Sequence, residues 1–118
     1  MEAMDKLNIS QIGLGYWGPN LLRNVINNER CNLIGVIDKS KDRLEYAKNQ
    51  YPGIDISTEI THALDDQNVD AIIIATPAMS HFKITMEALK CGKHVLVEKP
   101  IAMNVKEVEE IENLSKEK

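Results

Sequence analysis

Several function classes are excluded by what this 118-residue sequence lacks. It has no basic stripe: 14 Lys and Arg are scattered among 18 Asp and Glu, giving a formal net charge of −4. A nucleic-acid partner needs a basic face that neutralises phosphates, so that class is set aside. It has no long apolar run. The longest, Ala71 to Ala75, falls far short of the ~20 residues that span a bilayer, so no membrane partner is expected. The N-terminal Met-Glu-Ala-Met-Asp-Lys carries no apolar signal region. The two cysteines, Cys31 and Cys91, lack metal-ligand spacing. They read as reduced thiols of a cytoplasmic protein, and no metal site is expected. Repeats, linkers and low-complexity segments are absent. What remains is an ordinary globular composition, 43% apolar and 27% charged, sufficient for one domain over residues 1–118 with one modest core.

Against that plain background one stretch stands out, Ile-Ser-Gln-Ile-Gly-Leu-Gly-Tyr-Trp-Gly from Ile9 to Gly18. Gly13, Gly15 and Gly18 form G-x-G-x-x-G. In a dinucleotide site the first glycine permits a tight turn, and the second lets the backbone approach a pyrophosphate. The third lets helix and strand pack closely. The N–H groups that open the following helix then face the anion. Taken alone the pattern is also that of an ordinary turn. Its context strengthens it: Leu7, Ile9 and Ile12 precede it as a strand, and Asp38 lies 20 residues past Gly18 at the end of a second apolar run, Leu33 to Ile37. That is the spacing of the carboxylate that holds the adenosine ribose.

The rest of the chain alternates strands and helices. Strands are predicted at 7–12, 32–37, 54–57, 71–75 and 94–97. Helices are predicted at 17–27, 41–49, 59–64, 80–91 and 104–117, each of the long ones with an apolar stripe at helical spacing. The second strand, apolar on both faces, is expected to be covered by helices on both sides. Ser40 or a neighbour should cap the second long helix, and Gly92 should stop the fourth. His62 and His94 read as ordinary. This alternation implies an α/β fold: a doubly wound parallel sheet of Rossmann type, strand order 3-2-1-4-5, with ligands outside the carboxyl ends of the strands. The residues at those ends are Gly13 to Gly18, Asp38, Thr76 to His81, and Glu98 to Pro100.

Three segments in order, Gly-Leu-Gly-Tyr-Trp-Gly-Pro-Asn, Ala-Thr-Pro-Ala-Met-Ser-His and Gly-Lys-His-Val-Leu-Val-Glu-Lys-Pro, resemble the Gfo/Idh/MocA oxidoreductases, the family of glucose–fructose oxidoreductase and inositol dehydrogenase. The resemblance implies hydride transfer between NAD(H) or NADP(H) and a sugar, cyclitol or related alcohol. Residue by residue, it assigns Gly13, Gly15 and Gly18 to the pyrophosphate loop and Asp38 to the ribose. It sets Thr76, Pro77 and His81 near the ribose and nicotinamide, with Glu98 and Lys99 beside the nicotinamide. Lys99, the one catalytic candidate, is expected to help bind substrate and move a proton. Beyond the resemblance, its ammonium at the cleft rim could steady a developing alkoxide, or simply pair with Glu98. His81 could touch the cofactor or neighbour a helix cap. Tyr16 and Trp17 look most like members acting on nucleotide-linked amino sugars, with Trp17 lining the groove or covering the loop.

A carboxylate at position 38 favours NAD over NADP, since it repels a 2′-phosphate. Lys39, Lys41 and Arg43 nearby would soften that repulsion. Family members carry a second α/β domain with the substrate pocket and an Asp/His pair. These 118 residues lack it, so the chain is expected to bind cofactor without turnover. The fifth strand should then be a sheet edge, covered by the last helix or by a second copy of the chain, a homo-oligomer. Two other readings stand beside this one: a non-catalytic nucleotide-sensing module, and a different nucleoside ligand such as S-adenosylmethionine.

Overall fold

The computed structural model describes residues 6–15, 18–97 and 105–117. Five parallel strands form one sheet: β1 (Leu7–Ile12), β2 (Cys31–Ile37), β3 (Asp55–Ser57), β4 (Ala71–Ile74) and β5 (His94–Val97). Their order is β3-β2-β1-β4-β5, the order expected. The helices are α1 (Gly18–Ile26), α2 (Lys41–Gln50), α3 (Thr61–Leu64), α4 (His81–Lys90) and α5 (Val105–Glu117).

Side-chain alternation along the strands feeds a core on each face. Ile9, Ala71 and Ile73 pack against Val25 of α1. Beside them Leu14, Leu22 and Val36 pack with Leu44 and Ala47 of α2. On the opposite face Ile12, Ile37, Ile72 and Ile74 meet Ala63, Leu64, Ile84 and Ala88. Right-handed crossovers run one way from β1 to β3 and the other way from β4 to β5, which puts α1 and α2 on one face and α4 on the other.

This arrangement leaves two places thinly covered. On the α3 side, α3 is only four residues long, so β2 is not buried throughout. Val36 and Ile37 are buried, Leu33 to Gly35 are half-buried and Asn32 is exposed. The expected cover on both faces therefore holds for the carboxyl half of β2 alone. On the α1 side, no described helix lies over β5, and Leu96 is 60% exposed. β5 is one edge of the sheet. Helix α4 lies against it on the other face and α5 packs on α4, where Val95 joins a small cluster with Leu89, Phe82 and Ile111.

Local boundaries follow the sequence with small shifts. Ser40 caps α2 by accepting the Arg43 N–H. Gly92 ends α4 at φ 77°. The helix expected from residue 80 begins instead at His81, after a 3-10 turn over Ala78–Ser80. The cause is local. Ser80 spends its hydroxyl on Thr76 Oγ1 (2.6 Å) and the Pro77 carbonyl (2.7 Å), so it closes the turn rather than capping a longer helix. Among the described residues, no helix is long and apolar enough to cross a membrane.

Candidate functional site

Parallel strands bring every carboxyl end to one edge of the sheet, and the loops there hold most of the candidates. The turn after β1 begins at Gly13, whose φ is 101°. A Cβ at this position would lie 2.5 Å from the Ala75 carbonyl oxygen and 2.7 Å from the Thr76 nitrogen. Glycine is required twice over, by conformation and by space. At Gly15 a Cβ would stand 2.9 Å from the same Ala75 oxygen. The close approach that this second glycine permits here is to the loop after β4. Gly18 opens α1, and its missing side chain would face the Gly13 carbonyl oxygen at 3.2 Å, the close packing expected of the third glycine.

The turn is tied down on both sides. The Gly13 N–H donates to the Ile37 carbonyl (2.6 Å) and the Gly15 N–H to that of Ala75 (3.2 Å). The Leu14 N–H donates to Asp38 Oδ2 (2.7 Å). The Gly18 N–H turns back to the Gly15 carbonyl (2.9 Å). Four amides of the turn therefore already serve the protein. A donor for an anion comes from the next stretch: helix geometry gives the first-turn N–H of Asn20 no intrahelical acceptor, and Pro19 before it has no N–H at all.

Asp38 follows β2 directly. Its carboxylate is 9% exposed, with Arg43 Nη1 3.9 Å from Oδ2. Oδ2 accepts from Leu14, and Oδ1 accepts the Ser40 N–H at 2.7 Å. Two main-chain donors take two of the four lone-pair positions of a carboxylate, so acceptor capacity remains on both oxygens for a pair of hydroxyls. The side chain reaches the glycine turn from the neighbouring strand, as the sequence spacing requires.

After β4, Thr76 is half-buried and Pro77 exposed. His81 is 2% exposed. Its Nε2 lies 2.7 Å from the Thr76 carbonyl; a carbonyl only accepts, so this nitrogen carries the proton. The ring lies inside the loop after β4, hydrogen-bonded to its backbone. His62 is a neighbour of the α3 cap, hydrogen-bonded through Nδ1 to the Ser57 hydroxyl, which also accepts the Glu59 N–H. Tyr16, Trp17, Glu98 and Lys99 lie outside the described residues.

The sequence reading missed Gln11. It is fully buried, and its Nε2 donates to the carbonyls of Gly13 (3.0 Å) and Gly18 (2.9 Å), one on each side of the turn. The available signal was a polar pair, Ser10 and Gln11, inside a strand that must be buried on both faces.

A doubly wound parallel sheet with a glycine turn into α1, and a carboxylate at the end of the next strand, defines a dinucleotide-binding domain of the Rossmann class. Comparison with known proteins narrows the class. Residues 7–118 match the family model described as "Oxidoreductase family, NAD-binding Rossmann fold", and the chain belongs to this Gfo/Idh/MocA family. An uncharacterised oxidoreductase of Escherichia coli, YdgJ, is 30% identical over 112 residues, covering 95% of this chain and 32% of the relative. Myo-inositol 2-dehydrogenase of Thermotoga maritima is 30% identical over 104 residues, covering 87% of this chain and 31% of the relative. The crystal structure of myo-inositol 2-dehydrogenase from Lactobacillus plantarum superposes with a TM-score of 0.87 at 30% identity, covering 96% of this chain and 34% of that one. The chain thus spans about a third of the length of these relatives.

Proposed function

We propose that residues 1–118 form the NAD(P)-binding domain of an oxidoreductase that transfers hydride between a nicotinamide cofactor and a hydroxyl or carbonyl of a sugar, nucleotide sugar or cyclitol. The observation that carries this is the meeting, at one sheet edge, of a positive-φ glycine turn, the start of α1, and an Asp38 carboxylate with acceptor capacity to spare.

The diphosphate would lie across the first turn of α1, where the unused Asn20 N–H and the helix dipole favour an anion. Asp38 would accept the two hydroxyls of the adenosine ribose. Thr76 and Pro77, on the loop that touches the glycine turn, would flank the nicotinamide half. Bound nicotinamide would supply the hydride acceptor or donor. Glu98 and Lys99 follow β5 directly in the sequence. Lys99 is the catalytic candidate, orienting a substrate hydroxyl and stabilising negative charge as it develops on oxygen.

NAD is the preferred cofactor. A 2′-phosphate would meet the Asp38 carboxylate, and Arg43, its ion-pair partner among the described residues, stands 3.9 Å away with its side chain 58% exposed. Screening leaves such a cation little power to offset the repulsion. Among the described residues nothing encloses a substrate against the nicotinamide position. In this reading the 118 residues hold cofactor without turning over substrate.

Thermal unfolding with and without ligand tests the reading, because a ligand that prefers the folded state raises the midpoint. NAD should raise it most, NADP less, and S-adenosylmethionine not at all. A shift with S-adenosylmethionine alone, or with none of the three, would overturn the proposal. Alcohol-dependent reduction of NAD by the pure chain would overturn its non-turnover clause.

A further inference from the structure

We infer that Gln11 is the positioning residue of the diphosphate loop. Its side-chain amide bridges the carbonyls of Gly13 and Gly18 and so sets where the turn and the start of α1 meet an anion. This rests on the dinucleotide reading above.

Gln11 is fully buried in β1. Both of its contacts are carbonyl oxygens, at 3.0 and 2.9 Å, so the side-chain nitrogen must be the atom that faces them. The other end of the amide, Oε1, is buried with no hydrogen-bond partner among the described residues. An unmet buried carbonyl is unfavourable, and an apolar side chain of similar volume would avoid it. The nitrogen end must therefore contribute something hydrocarbon cannot.

What it contributes is a crosslink between the two ends of the turn. Gly13 leaves β1 and Gly18 begins α1. The Nε2 group holds their carbonyls at one point, inside the protein. Carbonyl oxygens are the negative ends of peptide dipoles, and the Gly13 carbonyl, left loose in the turn, would repel a diphosphate. Drawn inward onto Gln11 and tied there to the first residue of α1, it leaves the N–H end of α1 as the polarity facing out. The clamp also needs Gly18 without a side chain: a Cβ there would lie 3.2 Å from the Gly13 carbonyl oxygen and 3.5 Å from Gln11 Nε2. The G-x-G-x-x-G spacing and the glutamine two residues before it thus act as one unit.

The test compares NAD, ADP and adenosine as ligands. Gln11→Met keeps the volume and removes both donors. Its affinity for NAD and ADP should fall about tenfold, the scale of one lost hydrogen bond. Its affinity for adenosine should stay within about twofold, as for sites that do not touch. Gln11→Glu should lose more ADP affinity still, since it adds negative charge beneath the anion. Thr85→Val is the control. It removes a second buried oxygen without a partner among the described residues, Thr85 Oγ1 on α4, and should leave all three affinities unchanged.

Equal losses for ADP and adenosine in Gln11→Met, or no loss for either, would overturn the inference and leave the dinucleotide reading standing. A wild-type chain that binds neither NAD nor ADP would overturn both. Should neither variant fold, the side-chain amide signals of Gln11 in the wild-type protein decide by NMR. They should shift with ADP or inorganic pyrophosphate and stay put with adenosine. Signals unmoved by either anion would overturn the inference.

Discussion

The carboxylate of Asp38 accepts the main-chain N–H of Leu14 at 2.7 Å, across 24 positions of chain. A residue expected to hold a ribose therefore also holds the turn that meets the phosphates. Its second oxygen fixes the Ser40 N–H at the same distance, at the entrance to α2. On the proposed function, ligand grip and loop geometry would depend on one side chain.

Replacing it should accordingly cost twice. Asp38→Ala leaves two main-chain donors unmet and should lower folding stability by about 2–4 kcal/mol, the scale of two hydrogen bonds to a charged acceptor. Affinity for NAD should fall by about 1.5–3 kcal/mol, or ~10–150-fold. Asp38→Asn keeps one acceptor oxygen and should fall between wild type and alanine in both. Denaturant unfolding and calorimetric titration of NAD check the two effects. Stability lost with NAD affinity unchanged would remove Asp38 from the ribose site.

The glycines should respond unequally. Gly13→Ala combines a disfavoured φ of 101° with a Cβ 2.5 Å from the Ala75 oxygen, and should cost about 3 kcal/mol or prevent folding. Gly15→Ala, at 2.9 Å and without positive φ, should cost about 1–3 kcal/mol as the two loops separate. Gly53 has open space around it and no positive φ; alanine there should be neutral, or stabilising by up to about 1 kcal/mol. Unfolding midpoints of the three variants would show the ranking, and equal costs would contradict it.

Lys93 provides a test at the far end of the sheet. Its ammonium is buried and donates to the carbonyls of Asp66 and Val69, both at 2.7 Å, fastening the turn before β4 to the start of β5. Lys93→Met should reduce stability by about 1–3 kcal/mol through those two carbonyls, while NAD affinity stays unchanged. A large change in affinity would mean that the amino end of the sheet is coupled to the site.

Why so much of this was legible in the sequence is a matter of periodicity and spacing. Apolar runs such as Ala71 to Ala75 mark buried strands, and helical stripes such as Leu44 and Ala47 mark the faces that cover them. Crossover handedness then leaves few strand orders. Gly13 and Asp38 were legible because local backbone conformation and strand register place them. What stayed hidden arises between loops distant in sequence. The space that Gly15 leaves is filled by Ala75, a contact that no local pattern encodes. The burial of the His81 ring against the Thr76 carbonyl was hidden too, because packing decides it. Gln11 looked like an odd polar residue in a strand, because its partners are carbonyls that come within reach only once the turn has formed. The half-cover of β2 went unseen because its apolar run reads as covered on both faces, whereas the short helix expected at 59–64 is four residues long and leaves the amino half of the strand part-exposed.

The most direct test is a crystal of this chain grown with NAD. The diphosphate oxygens should lie within hydrogen-bond distance of N–H groups at the start of α1, and Asp38 should accept both hydroxyls of the adenosine ribose. A nucleotide bound elsewhere, or an Asp38 that turns away from the ribose, would contradict the account.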